Sequence, residues 1–85
     1  MSKFTYVIKD EVGIHARPAG LLVKEAKKYA SAVTLEVNGK KEDAKKLMAV
    51  MTLGAKTGQE LTVTVEGADE EEAARALQAF LEENL

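Results

Sequence analysis

The sequence predicts an α+β fold in which three helices cover one face of a four-stranded antiparallel sheet. Hydrophobic periodicity gives the element order β-α-β-β-α-β-α along 85 residues. The two middle strands are joined by Asn38-Gly39, a pair that favours a tight hairpin because both residues tolerate positive φ. Longer connections elsewhere favour an antiparallel sheet with its helices on one side. No linker or repeat interrupts the chain, so residues 1–85 are expected to form one domain.

The first half of the chain is expected to supply a strand, a loop and a long helix. Aromatic and β-branched residues predict a strand over 4–9, and residues 10–13 have the composition of a loop. Apolar residues at helical spacing then predict a helix from 16 to about 29. Pro18 is accepted in the first turn, where its missing N–H has no intrahelical partner to lose. The helix start is thereby defined, with His15 as the N-cap.

The second half is expected to complete the sheet and add two helices. Residues 33–37 and 61–66 alternate between apolar and polar side chains, so both predict half-buried strands, the latter central. The short, charged strand over 40–43 suits a sheet edge. A short helix is predicted over 46–53, ended by Gly54. Asp69 and Glu72 resemble a capping box at the start of a final helix. The apolar stripe of that helix comprises Ala73, Leu77, Phe80 and Leu81.

Composition excludes several classes of function. There is no cysteine and only one histidine, so disulfides and thiolate chemistry are excluded, and neither a metal site nor a cofactor is expected. A net charge of −2 argues against nucleic-acid binding. The N-terminal residues lack the apolar stretch of a signal peptide, and no apolar run reaches the length of a membrane span. A cytoplasmic protein without membrane insertion is therefore expected.

The single histidine, His15, lies where the loop meets the first predicted helix. A helix start presents free N–H groups and a partial positive charge, which together bind anions. Arg17 follows two residues later, and Gly13 allows close approach. A nucleophilic imidazole in this setting could carry a phosphoryl group held by the guanidinium and the amides. From these residues alone, a surface or partly buried histidine without a function remains the alternative.

The segment Gly13-Ile14-His15-Ala16-Arg17-Pro18-Ala19 resembles the active-site signature of the HPr family. These proteins are the histidine phosphocarriers of the phosphoenolpyruvate-dependent sugar phosphotransferase system. Three further segments are similar to the family, so that the resemblance runs along the whole chain: 37–40, 44–54 and 65–70.

The resemblance implies a fold and a function. The fold is an open-faced β-sandwich. His15 would accept a phosphoryl group through Nδ1 from phosphorylated enzyme I and pass it to the A-type domains of sugar permeases. Ala16 and Arg17 would bind the phosphate. On this interpretation the protein is a carrier rather than an enzyme in its own right.

The short predicted helix offers an apolar docking surface. It is apolar almost all round, and a helix on so small a domain buries only one face, so some of its side chains must stay exposed. Val50 and Leu53 are predicted on the buried side. The residues alone leave core filling by methionine as an equal alternative. The resemblance implies that this helix contacts both donor and acceptor through Leu47, Met48 and Met51.

A basic docking surface is predicted on the first helix. Arg17, Gly20, Lys24 and Lys27 are spaced three or four residues apart and so share a face. The basic side chains would steer acidic partner surfaces. Gly20 would allow close approach of a partner, although a tolerated helix defect explains it equally well.

Lys46 departs from the family pattern. Many members have a regulatory serine at the matching position, and that serine also caps the short helix. No hydroxyl is available here, so no regulatory phosphoserine is expected. Lysine caps poorly and a cation is unfavourable at a helix start, each at a cost of about 0.5–1 kcal/mol.

Two other functions remain open. A regulator on the same fold would bind partners without carrying phosphate, although the presence of both His15 and Arg17 argues against it. A small nucleic-acid or ligand-binding module would need aromatic residues on the sheet face and a basic balance. The four aromatic residues of this chain are instead mostly expected in the core. A monomer is expected by default.

Overall fold

A four-stranded antiparallel sheet organises the protein in the computed structural model, which describes residues 1–85. The strands are β1 (Ser2–Val7), β2 (Ala32–Val37), β3 (Lys40–Asp43) and β4 (Glu60–Glu66). Their order across the sheet is β1-β4-β2-β3, and all neighbours run antiparallel. The predictions that β4 is central and that the charged β3 is an edge are therefore confirmed.

Three helices cover one face of this sheet, as predicted. They are α1 (Ala16–Ala26), α2 (Leu47–Thr52) and α3 (Glu70–Asn84). The predicted stripe of α3 is buried at Ala73, Leu77 and Leu81, while Phe80 is half-buried. α3 packs on β1 and β4, and α1 packs against both α2 and α3. The fold is an open-faced β-sandwich, and none of its helices is long and apolar enough to cross a membrane.

The core lies between the sheet and the helices. Leu35 and Leu61 point into it from the two central strands, and Leu22 and Leu77 meet them from α1 and α3. The four aromatic residues are partly buried and pack against this cluster: Phe4, Tyr6, Tyr29 and Phe80. They are core residues, as predicted, and not a stacking platform on the open face.

The first helix is shorter than predicted. It ends at Ala26 rather than near Tyr29, and Tyr29 N–H bonds back three residues, to the carbonyl of Ala26 (3.3 Å). The chain then turns because the Asp69 carboxylate accepts hydrogen bonds from the N–H groups of Ala30 and Ser31, both at 2.9 Å. A long-range contact thus ends a helix that local periodicity would continue.

The predicted capping box at the start of α3 is wrong. Asp69 is the N-cap residue, but its side chain does not cap the helix. It binds the 30–31 turn instead, and there it also accepts the Ser31 hydroxyl hydrogen. The Ser31 hydroxyl and then the Ala30 amide lower the pKa of Asp69 by hydrogen bonding to its ionised form. The residue therefore ties α3 to the beginning of β2.

Candidate functional site

The loop before α1 is packed tightly against the segment after α2. Ile14 is buried and donates its N–H to the carbonyl of Ala55 at 2.9 Å. Gly13 has φ +80° and lies so close that an added Cβ would overlap the Ala55 carbonyl oxygen and come within 2.8 Å of Lys56 Cα. Only glycine fits this conformation and this space. The packing fixes the direction in which the chain enters α1.

His15 occupies the N-cap position of α1, as predicted. Its backbone is extended and its carbonyl accepts the N–H of Ala19 at 2.8 Å, which begins the helix. The imidazole makes no capping hydrogen bond and its side chain is 44% exposed. The N–H groups of Ala16 and Arg17 have no partner within the protein, and Pro18 has no N–H. The helix start thus presents two free amides beside an exposed imidazole.

A shallow depression of about 190 Å³ lies beside this helix start. Its lining comprises Asp10, His15, Arg17, Pro18, Leu21 and Asn84. The Arg17 side chain is exposed and forms no ion pair, so its charge is available to an anion. A larger depression of about 480 Å³ lies at the β2–β3 edge, far along the chain from any imidazole. We assign the site to the smaller depression because it alone combines a nucleophile with free amides and a cation.

Asp10 is a site residue that the sequence pattern did not reveal. Its Oδ2 lies 3.8 Å from Nε2 of His15. The same oxygen accepts the N–H groups of Val12 (3.0 Å) and Gly13 (3.1 Å). The side chain of an aspartate at the start of a loop often accepts a hydrogen bond from the backbone N–H two residues later. This tendency was the signal available in the sequence. Asn84 gave no signal, because only the packing of α3 brings it to the site.

Three apolar side chains of α2 are exposed. Met48 is 73% exposed, and Leu47 and Met51 are also exposed. Val50 and Leu53 are buried, so the predicted division of this helix is confirmed. Met48 therefore does not fill the core, whereas Met51, at 39% exposure, is partly covered. We call Leu47, Met48 and Met51 the apolar patch.

The basic residues of α1 also share one exposed face. Arg17, Lys24 and Lys27 are exposed, and a Cβ added at Gly20 would meet nothing within 4 Å. We call these four residues the basic face. Since α1 packs against α2, the basic face and the apolar patch belong to neighbouring helices.

Lys46 is the N-cap of α2 and leaves that helix without a side-chain cap. Its backbone is extended and its side chain is exposed. The other end of the helix is better satisfied, because Lys40 Nζ donates to the carbonyl of Thr52 at 2.8 Å. A cation at a helix C-terminus is stabilising, whereas the one at the N-terminus is not.

The fold and the site together are those of a small histidine phosphocarrier, in which a sandwich open on one side presents a single imidazole at a helix start. Comparison with known proteins agrees. A family model described as PTS HPr component, phosphorylation site, matches residues 2–83. The chain is 46% identical over 85 residues to the phosphocarrier protein HPr of Mycoplasma genitalium, covering 99% of this chain and 97% of that protein.

Two further comparisons point the same way. The phosphocarrier protein HPr of Mycoplasma capricolum is 44% identical over 77 residues, which cover 91% of this chain and 86% of that protein. The solved structure of a Mycoplasma histidine-containing phosphocarrier protein superposes with a TM-score of 0.94 at 40% identity, covering 96% of this chain and 93% of that one. The chain belongs to the HPr family. It is therefore a phosphocarrier of the phosphotransferase system and not a catalyst.

Proposed function

We propose that His15 is the phosphoryl carrier, loaded at Nδ1 by phosphorylated enzyme I and unloaded by the A-type domains of sugar permeases. One observation supports this most directly: the chain's only imidazole stands exposed at a helix start whose amides are unoccupied. In the loading step, the Nδ1 lone pair forms a bond to phosphorus while the phosphorus–nitrogen bond of the donor breaks. Unloading reverses these roles.

Arg17 and the start of α1 would stabilise the phosphoryl group in both directions. The exposed guanidinium can form charge-assisted hydrogen bonds to phosphate oxygens, and the amides of Ala16 and Arg17 point the same way as the helix dipole. A helix-end interaction of this kind contributes about 0.3–2 kcal/mol. Moderate stabilisation of this size suits a group that must be handed on.

The apolar patch and the basic face would form one docking surface for both partners. The apolar patch offers exposed methionines, which adapt to more than one partner. The basic face beside it would attract acidic partner surfaces and accelerate encounter. The partners would supply the remaining groups around phosphorus.

Four further properties belong to this proposal. Lys46 offers no hydroxyl, so regulation by phosphorylation of a serine at that position would be absent. The protein would act in the cytoplasm as one domain. It would also act as a monomer, since one chain supplies every residue of the site. The HPr of Thermoanaerobacter tengcongensis has been solved as a dimer, so light scattering at micromolar concentration is the appropriate check.

Incubation with phosphoenolpyruvate and enzyme I tests the proposed acceptor. The intact mass should increase by one phosphoryl group, and the label should be lost in acid. His15→Ala should abolish the gain while leaving the thermal midpoint nearly unchanged, because the imidazole is exposed. Lys56→Ala, a change at another exposed position, serves as the control.

Two outcomes would contradict the proposal. If His15→Ala still gained the phosphoryl group, the acceptor would be a different residue. If the wild-type chain gained none with a cognate enzyme I, the protein would be a binding module that does not carry phosphate.

A further inference from the structure

We propose that Asp10 is a positioning residue that directs phosphorylation to Nδ1 of His15 and away from Nε2. This inference rests on His15 being the acceptor, as proposed above. Asp10 is 5 residues before His15 in the chain and lines the same depression.

The Asp10 carboxylate is held in place from several directions. The Asp10 backbone N–H donates to the carbonyl oxygen of Leu85 at 2.8 Å, which ties the residue to the end of α3. Its backbone carbonyl accepts hydrogen bonds from the N–H of Gly13 and the hydroxyl of Thr57. Its Oδ2 accepts the N–H groups of Val12 and Gly13. Both the backbone and the side chain are therefore fixed relative to the helix start.

The fixed carboxylate faces one specific atom of the imidazole. Oδ2 lies 3.8 Å from Nε2, which is longer than a direct hydrogen bond but close enough for the carboxylate charge to act on that nitrogen. A negative charge on that side of the ring favours a proton on Nε2. The lone pair then remains on Nδ1, the nitrogen that does not face the carboxylate.

The same carboxylate disfavours a phosphoryl group on Nε2. Phosphate oxygens attached to that nitrogen would lie against Oδ2, and like charges at this distance repel. With phosphorus on Nδ1, the electron pair that forms the new bond comes from Nδ1, and Nε2 keeps its proton toward Asp10. The donor nitrogen takes the electron pair of the bond that breaks. Asp10 thus discriminates between the two ring nitrogens without contacting phosphorus.

Phosphoramidate provides a test, because this small donor phosphorylates imidazole at either nitrogen without a partner protein. Phosphorus NMR resolves the two products. In the wild type the label should be confined mainly to Nδ1. In Asp10→Asn, which keeps an oxygen for the turn but removes the charge, the share on Nε2 should rise about threefold to fivefold, the size expected for a partly exposed ion pair.

Asp43→Asn is the matched control. Asp43 also accepts a backbone N–H two residues ahead, that of Lys45 at 2.9 Å, but it lies on the edge strand farthest from β1. Its product ratio should equal that of the wild type. Nitrogen NMR of the neutral imidazole adds a readout that a purely structural role would not change: the Nε2–H tautomer should become less populated in Asp10→Asn only.

The possible results separate the inference from the function on which it rests. An unchanged product ratio and tautomer in Asp10→Asn would overturn the role of Asp10. If that variant fails to fold, Asp10→Ser, which also keeps a short acceptor without charge, decides the question by the same measurements. Failure of enzyme I to phosphorylate the wild type would overturn the proposed function, while the ratio obtained with phosphoramidate would still report on Asp10.

Discussion

The two long helices begin in opposite ways. α3 starts at an aspartate and has three glutamates in its first turn, so its positive end is surrounded by carboxylates. α1 starts at His15, has no acidic residue in its first turn and carries Arg17 there instead. Electrostatics alone would favour acids at both helix starts. The start of α1 therefore lacks the local stabilisation of α3 and leaves the amides of Ala16 and Arg17 without a partner.

The start of α1, which has no acidic residue, is stabilised by packing. Buried Ile14 and the hydrogen bond from its N–H to the carbonyl of Ala55 anchor the loop on one side, and buried Pro18 presets the helical backbone on the other. The start of α3 is instead stabilised by electrostatic interactions. Carboxylates of Asp69 and Glu70 accept backbone hydrogen bonds from the neighbouring turns. Substitutions at the two helix starts should therefore have different consequences.

Filling the start of α1 with a carboxylate should have the largest effect. Ala16→Asp places an acid at the first helical position, where we expect phosphoryl transfer from enzyme I to slow about 10²-fold because the anion site is occupied and repulsive. The same change should raise the free energy of unfolding by about 0.3–1 kcal/mol. Quench-flow transfer rates and urea titrations measure the two effects. Ala16→Asn is the uncharged control, and unchanged transfer in Ala16→Asp would contradict the comparison.

Disturbing the packing beneath His15 should come next. Gly13→Ala combines positive φ with an overlap against the backbone of Ala55 and Lys56, so the free energy of unfolding should fall by about 2–3 kcal/mol. Gly39 has nearly the same φ, +79°, but nothing within 4 Å of an added Cβ. Gly39→Ala should therefore cost only about 1 kcal/mol. Equal losses in urea unfolding would show that the close packing contributes nothing.

The acidic contact at α3 should appear as a dependence of stability on pH. Hydrogen bonds from Ser31 and Ala30 lower the pKa of Asp69 from its ordinary value of 3.8, so the folded state favours the ionised form. The resulting stability is present above that value and is lost as pH falls through the lower folded-state pKa. Asp69→Asn should melt lower than the wild type at pH 7, and the two melting temperatures should converge in acid.

Glu72→Gln is the control for Asp69→Asn. Glu72→Gln alters an exposed acid of the same helix turn whose side chain makes no hydrogen bond, so its melting temperature should fall by less than that of Asp69→Asn, by the helix-dipole contribution alone. A gap between Asp69→Asn and the wild type that stays constant from neutral to acidic pH would show that ionisation of Asp69 contributes nothing.

The smallest expected effect concerns the short helix α2. Lys46→Ser supplies a capping hydroxyl and removes a cation from the helix start, so the free energy of unfolding should rise by about 0.5–1 kcal/mol. Lys56→Ser, at an exposed turn position that begins no helix, is the matched control and should not stabilise. No gain in Lys46→Ser would mean that the N-terminus of α2 is satisfied by solvent at no cost.

Most of the architecture could be predicted because it follows from patterns among residues that are close together in the sequence. The alternation in β2 and β4, the Asn38-Gly39 hairpin and the buried side of α2 all follow from periodicity or turn chemistry. The position of His15 at the N-cap followed from Pro18, three residues later in the helix. Each of these inferences needed only residues that are close together in the chain.

The features that could not be predicted depend on contacts between distant segments. Asp69 binds residues 38 and 39 positions away, and this contact both ended α1 early and removed the expected capping box. Asn84 reaches the depression beside His15 because α3 packs back onto the loop after β1. Local patterns contain no information about which carboxylate reaches which turn, so these parts of the site required the structure.

The proximity of the apolar patch to the basic face would determine whether donor and acceptor can bind at the same time. The two surfaces lie on neighbouring helices, and the basic face includes Arg17 of the depression at His15. Donor and acceptor would therefore occupy the same footprint, and only one of them can be bound at a time. Each cycle then requires a complete departure before the next arrival, so we expect brief residence and rapid exchange to matter more than tight binding. Such a carrier would alternate between the donor and the acceptor, which are never bound to it at the same time.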